Sequence, residues 1–169
     1  MKLNKLIAIA TISLLSGGIS MAQKALNLED IVAGNIIQTK GIGSMTWLKD
    51  GERYSRLENN KQTGGTDIVA YRAKDNSREV IIPSSLLTDK STGRPIPVRS
   101  VSWSADNEKV LIYNNTRRVW RYDTRGDYWV LNLKDGALRQ LGKGMPESSM
   151  MFAKFSPDGT RVAYVSNNN

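Results

Sequence analysis

At 169 residues the chain is long enough for one domain with a real core and too short for two large ones. It contains neither cysteine nor histidine, which excludes disulfides, thiolate chemistry, every histidine-based triad and the usual zinc sites. The formal charge of +8 is spread along the chain with no run of five like charges, the pattern of a mildly basic surface rather than a polybasic tail.

The first element in chain order is a targeting signal. Lys2 and Lys5 precede an apolar stretch, Leu6 to Leu15, that is too short to span a bilayer. Ser20-Met21-Ala22 then puts small residues at a cleavage site. Residues 1–22 read as a secretory signal peptide, so the expected location is exported and periplasmic; a retained anchor is the alternative. A mature chain starting at Gln23 would carry a formal charge of +6. Residues 23–40 read as a lead-in containing a short helix over 27–34. Asn27 can cap it, Glu29 and Asp30 suit its first turn, and Gly34 can end it.

From residue 41 onward the pattern is that of strands. "EVIIP", "KVLIYNN", "DYWVLNL" and "RVAYVS" are short, β-branched and aromatic, and bounded by turn residues. Three segments align without gaps: "WLKDGERYSRL" from Trp47, "WSADNEKVLIY" from Trp103 and "FSPDGTRVAYV" from Phe155. In each, an aromatic ends a strand and is expected to pack in the core. Three residues later come Asp50, Asp106 and Asp158, followed by Gly51, Asn107 and Gly159, residues that tolerate positive φ in a tight hairpin turn. The return strand then brings Tyr54, Val110 or Val162 to the matching position. A second landmark, Asp67 or Asp127, leads the next strand of the first two units. The copies stand 56 and 52 residues apart, a period that fits four-stranded propeller blades. The expected fold class is therefore all-β, a partial β-propeller of about two and a half four-stranded blades over 41–169. A β-sandwich of unrelated hairpins is the alternative. Two and a fraction blades leave strand edges open, so the chain is expected to be the front end of a longer protein.

The stretch "RRVWRYDTRGDYWVLNL" over 117–133 holds four arginines among two tryptophans and two tyrosines. A turn is expected at its Gly126-Asp127 pair, which makes Arg125-Gly126-Asp127 a hairpin turn rather than an adhesion motif. Asn114-Asn115-Thr116 matches a glycosylation acceptor whose use is not expected. Gly41-Ile42-Gly43 lacks the third glycine and helix of a dinucleotide site, and Glu29-Asp30 reads as helix-start charge rather than a catalytic carboxylate pair. Arginines interleaved with aromatics can serve as stacking platforms for nucleic acid. The export signal and the lack of a basic stripe argue against that partner.

"VWRYDTRGDYWVLNL", "AKFSPDGTRVAYVSNNN" and "SVSWSADNEKVLIYNN" together resemble the opening of the dipeptidyl peptidase IV family of serine exopeptidases. The resemblance covers roughly residues 25–169 on the repeat criterion, and its specific part is the Trp-Arg pair followed by "DYWVL". It implies an N-terminal eight-bladed propeller capping an α/β-hydrolase domain that removes X-Pro and X-Ala dipeptides. It also implies that Arg121, beside Trp120, hydrogen-bonds a backbone carbonyl of the peptide substrate; a surface or packing arginine is the alternative. Arg117, Arg118 and Arg125 carry no such role and read as surface charges. The family's glutamate pair and Ser-Asp-His triad fall outside this chain, and no G-x-S-x-G elbow occurs in it. No catalytic residue, cofactor or metal is expected here, and the chain alone is expected to be inactive. The expected partners are the peptide, the hydrolase domain and, in the intact protein, a second copy. A stand-alone periplasmic propeller that binds peptides or proteins is the alternative function.

Overall fold

The computed structural model describes residues 43–166, with Asn27, Leu28, Val32 and Gly41 before them. The chain divides into two compact units, Met1–Gly41 and Ile42–Asn169. In the first, Leu28 and Val32 are helical and exposed, inside the span expected for the short helix. The rest of that helix, the signal sequence and the Glu29-Asp30 pair lie outside the described residues.

The second unit is built from antiparallel strands in chain order. β1 (Met45–Trp47), β2 (Arg53–Asn59), β3 (Thr66–Arg72) and β4 (Arg78–Ile82) form a four-stranded sheet. A 3-10 turn, Ser84–Leu87, and a two-stranded ribbon of β5 (Thr88–Asp89) and β6 (Arg94–Pro95) follow. β7 (Ser100–Trp103), β8 (Lys109–Val119), β9 (Tyr122–Asn132) and β10 (Leu138–Gln140) make the second sheet. β11 (Met150–Phe155) and β12 (Val162–Ser166) begin a third, attached to β9 through the single pair Met150 and Gly126. Four, four and two strands are the two and a half blades that the repeat period predicts.

The three repeated turns are alike bond for bond. Trp47 pairs with Tyr54, Trp103 with Val110 and Phe155 with Val162, the matches that the alignment predicts. Inside each pair a turn closes through the N–H of Gly51, Asn107 or Gly159 donating to the carbonyl of Leu48, Ser104 or Ser156 at 2.9–3.1 Å. Those three donors have φ of 68°, 59° and 67°, the left-handed values that glycine and asparagine tolerate. The aspartate before each is the organiser, because its carboxylate accepts backbone N–H groups two or three residues on. Asp158 also accepts from the Ser156 hydroxyl at 2.5 Å and the Thr160 hydroxyl at 2.9 Å. The Ser156 bond first, then those from Thr160, push its carboxyl down to about 2. The sign follows: a carboxylate with a depressed native pKa stabilises the turn fully above about pH 4, and that contribution is lost as pH falls through the native value. A carboxyl-carbon NMR titration of Asp158 should have its midpoint near 2; a midpoint near the ordinary value of about 3.9 would show that the turn bonds do not form.

Stacking of the sheets follows from strand alternation. Val110 and Ile112 of β8 point to one side and pack with Ile68, Ile82 and Leu87 of the first blade and Leu131 of their own. Leu111 points to the other side and packs with Tyr128 and Met150. The second sheet is thus buried on both faces, the position of a wedge between two others. Trp103 bridges the first interface directly, its indole N–H donating to the Ser55 hydroxyl at 3.1 Å. Directly paired residues share a face, so each repeated aromatic faces the preceding sheet. Trp103 and Phe155 accordingly pack against buried clusters. Trp47 does not, contrary to expectation: it is 55% exposed and meets Tyr54 edge-on at 5.9 Å. Its partner Tyr54 lies on the face opposite Ser55, and among the described residues no sheet precedes the first to cover it.

The second landmark has an equally physical meaning. Asp67 is buried and accepts from the Asn60 amide at 3.0 Å and the Ser84 N–H at 2.7 Å. Asp127, one blade later, is buried and accepts from the Asn115 amide at 2.7 Å and the Ser148 N–H at 2.8 Å. Each aspartate therefore ties its own blade to the segment that leaves it. Burial works against the charge of Asp67, yet the bonds from Ser84 and Asn60 outweigh it and hold its carboxyl below the ordinary value.

Candidate functional site

The β8–β9 hairpin is longer than the sheet that carries it. β7 accompanies β8 only from Val110 to Tyr113, and β10 accompanies β9 only from Trp129 to Leu131. Beyond Tyr113, and past the pairing of Gly126 with Met150 of β11, the two strands run on as an arm. An isolated two-stranded arm is marginal in water, so its own contacts decide its shape. Pairing is regular from Lys109 and Asn132 to Asn114 and Asp127, then slips twice. First, Asn115 and Thr116 oppose Gly126 alone, with Asn115 at a φ of 43°. Next, Thr124 is the extra residue on β9. The two bulges cancel, and Val119 and Tyr122 close the arm in the original register.

The turn is consequently Trp120-Arg121, not the expected Gly126-Asp127. Gly126 lies inside β9 and is buried. Its lack of a side chain serves close approach: a Cβ there would stand 2.3 Å from the Tyr113 ring and 2.7 Å from the Asn114 carbonyl. Trp120 instead takes the left-handed position, with a φ of 63° and 95% exposure. A bulky residue there carries about 1–2 kcal/mol of backbone strain, the sort that accumulates where a tip must be held in one shape.

Arg121 is exposed at that tip and borders a cavity of about 580 Å³. Among the described residues no carboxylate or carbonyl engages its guanidinium. Arg118 lines the same cavity and donates to the Arg121 carbonyl at 3.4 Å. Arg99, from the segment before β7, donates to the Asp123 carboxylate at 3.3 Å. Tyr113 reaches in from β8, with its hydroxyl 2.9 Å from the carbonyls of both Asp123 and Arg125. Burial, then the neighbouring Tyr128 and Asp123, push its hydroxyl up to about 12. It remains a protonated donor across any ordinary pH. Three arginines against one aspartate leave a cationic, polar recess suited to a carbonyl or an anion.

Of the residues singled out in sequence, Arg121 is at the recess and Arg118 backs it, rather than being only a surface charge. Arg117 and Arg125 face each other across the arm as a backbone pair. Asn114 is buried in β8, which closes the acceptor sequence to modification in the folded chain. Arg99, Tyr113 and Asp123 have no motif. The one usable signal is Gly126 inside a β-branched and aromatic run, since glycine within a strand marks a bulge or a close approach.

Residues 104–169 match the family described as the dipeptidyl peptidase IV N-terminal region. The chain is similar to the probable dipeptidyl-aminopeptidase B of Aspergillus terreus, 26% identical over 163 residues, covering 91% of this chain and 18% of the relative. It is also similar to the dipeptidyl-aminopeptidase B of Aspergillus niger, 25% identical over 159 residues, covering 90% of this chain and 17% of the relative. The chain thus spans less than a fifth of the length of these relatives. Its fold is similar to that of the crystal structure of Porphyromonas gingivalis dipeptidyl peptidase 4, with a TM-score of 0.61 and 22% identity over 87% of this chain and 20% of that one.

Proposed function

We propose that this chain, whose residues 104–169 match the dipeptidyl peptidase IV N-terminal region, forms the opening blades of the propeller of an exported serine exopeptidase. That enzyme releases X-Pro and X-Ala dipeptides from peptide N-termini. The blades gate and position the peptide; attack on the scissile carbonyl and acyl transfer belong to a hydrolase domain. The observation that carries this reading is the Arg121 guanidinium, without a side-chain partner among the described residues and placed at the tip of the arm beside a cationic recess. A planar fork of permanent donors in that place fixes a peptide carbonyl both in position and in angle.

The full-length protein should release 4-nitroaniline from Gly-Pro-4-nitroanilide. It should discriminate against the Nα-acetylated analogue by at least about a hundredfold, because an enzyme that measures from a free amino terminus loses a charged contact when that amine is capped. Equal rates on the two substrates would end the exopeptidase reading. No release from either, with peptide binding retained, would identify a propeller that binds without hydrolysing.

A further inference from the structure

We infer that Tyr113 is a positioning residue: its hydroxyl, shared between the carbonyls of Asp123 and Arg125, fixes the bulge from which Arg121 is aimed at the peptide. This inference rests on the function proposed above. Asp123 and Arg125 flank Thr124, the extra residue on β9. A bulge leaves its extra residue unpaired, loosens the ladder locally and bends the strand; here the unpaired residue is Thr124, between the paired Asp123 and Arg125. A carbonyl oxygen has two lone pairs, so the carbonyls flanking the bulge can take a further donor where the ladder is loosened. Tyr113 shares its single O–H between the carbonyls on the two sides of the bulge, from a strand position still paired to β7. The arm is therefore referenced to the sheet through one side chain.

The site is built to hold that ring still. It stacks on Tyr128 with centroids 4.8 Å apart, and Tyr128 is part of the buried cluster facing the third blade. The ring lies over Gly126, where any side chain would collide with it. The Tyr113 carbonyl accepts from the Arg99 N–H at 2.9 Å, while the Arg99 guanidinium holds the Asp123 carboxylate. Asp123 is thus held by Tyr113 at its carbonyl and by Arg99 at its side chain, two residues from Arg121. The high pKa of the hydroxyl keeps it a donor throughout the working range. Loss of this donor leaves the core intact and frees the bulge, so Arg121 samples positions from which it misses its acceptor.

The test is a double-mutant cycle in the full-length protein with Gly-Pro-4-nitroanilide. Tyr113→Phe keeps the ring, its stacking and its packing. It should raise KM by about three- to tenfold, the scale of one well-made neutral hydrogen bond, and change kcat by less than about twofold. In an Arg121→Ala background the same change should move KM by less than about 1.5-fold, because the residue it positions is gone. Replacement of Tyr113 by 4-aminophenylalanine, which returns a donor to the ring end, should bring KM back to within about twofold of the starting value. A merely structural tyrosine would give a lower melting temperature and an equal loss of active enzyme in both backgrounds, with KM unchanged; that result overturns the inference. So does an Arg121→Ala enzyme that is impaired while Tyr113→Phe is not. If Arg121→Ala itself leaves kcat/KM unchanged, the carbonyl contact of the proposed function fails, and the inference falls with it.

Discussion

Arg121→Ala should lower kcat/KM of the full-length protein on Gly-Pro-4-nitroanilide by about tenfold to a thousandfold, chiefly through a higher KM. A hydrogen bond from a charged donor contributes about 1.5–3 kcal/mol, which alone gives roughly ten- to a hundred-and-fifty-fold. The remainder is geometric. A carbonyl released from its fork leaves the substrate free to rotate away from the attacking group, and misplacement of about 1 Å can cost a hundredfold. Arg121→Lys should recover part of the loss, since it restores charge and reach but not the planar pair of donors. Because Arg121 is exposed and its guanidinium is uncommitted within the described chain, neither change should alter the folding midpoint by more than about 0.5 kcal/mol. An Arg121→Ala enzyme with unchanged kcat/KM would remove the arginine from substrate recognition.

Ile112→Ala should be the most damaging single truncation for stability, at about 2–5 kcal/mol. Ile112 is fully buried and stands in the cluster that joins the first two blades, against Ile68, Ile82 and Leu87. Truncation removes apolar contact on both sides of one interface. The surrounding strands are fixed by ladder bonds and cannot close the gap. Val80→Ala is the comparison: Val80 is a strand residue of the first blade that is 40% exposed, and its truncation should cost no more than about 1 kcal/mol. Denaturant unfolding of the two variants should separate their midpoints clearly. Equal midpoints would mean that the blades do not pack as described.

The repeat architecture was legible because it rests on local chemistry. An aspartate followed by glycine or asparagine makes a left-handed turn wherever it occurs, so Asp50, Asp106 and Asp158 announce three equivalent hairpins, and the paired positions follow by counting. Asp67 and Asp127 were visible as landmarks, though their bonding to Ser84 and Ser148 was not, since those partners lie 17 and 21 residues on. The arm was read less well. Its two bulges cancel, so hydrophobic alternation before and after them shows no break. Glycine beside aspartate suggests a turn at Gly126; here the reason for glycine is the Tyr113 ring, which no local rule reveals. The true turn carries Trp120, a residue that turn preferences would place last at positive φ. Arg121 stands out only through the family resemblance, and the residues that hold its strand in place come together only in three dimensions.

The unaccompanied stretch of the β8–β9 ribbon also sets a scale. Inserting one residue into each of its strands would advance the tip by about 3.4 Å and turn its side chains to the opposite face; two per strand would advance it by about 7 Å and preserve their facing. The blade beneath would be untouched, because nothing in its packed interior depends on how far the ribbon continues. Depth of penetration is therefore a stepwise variable, adjustable independently of the scaffold, and the present length is one setting on that ruler.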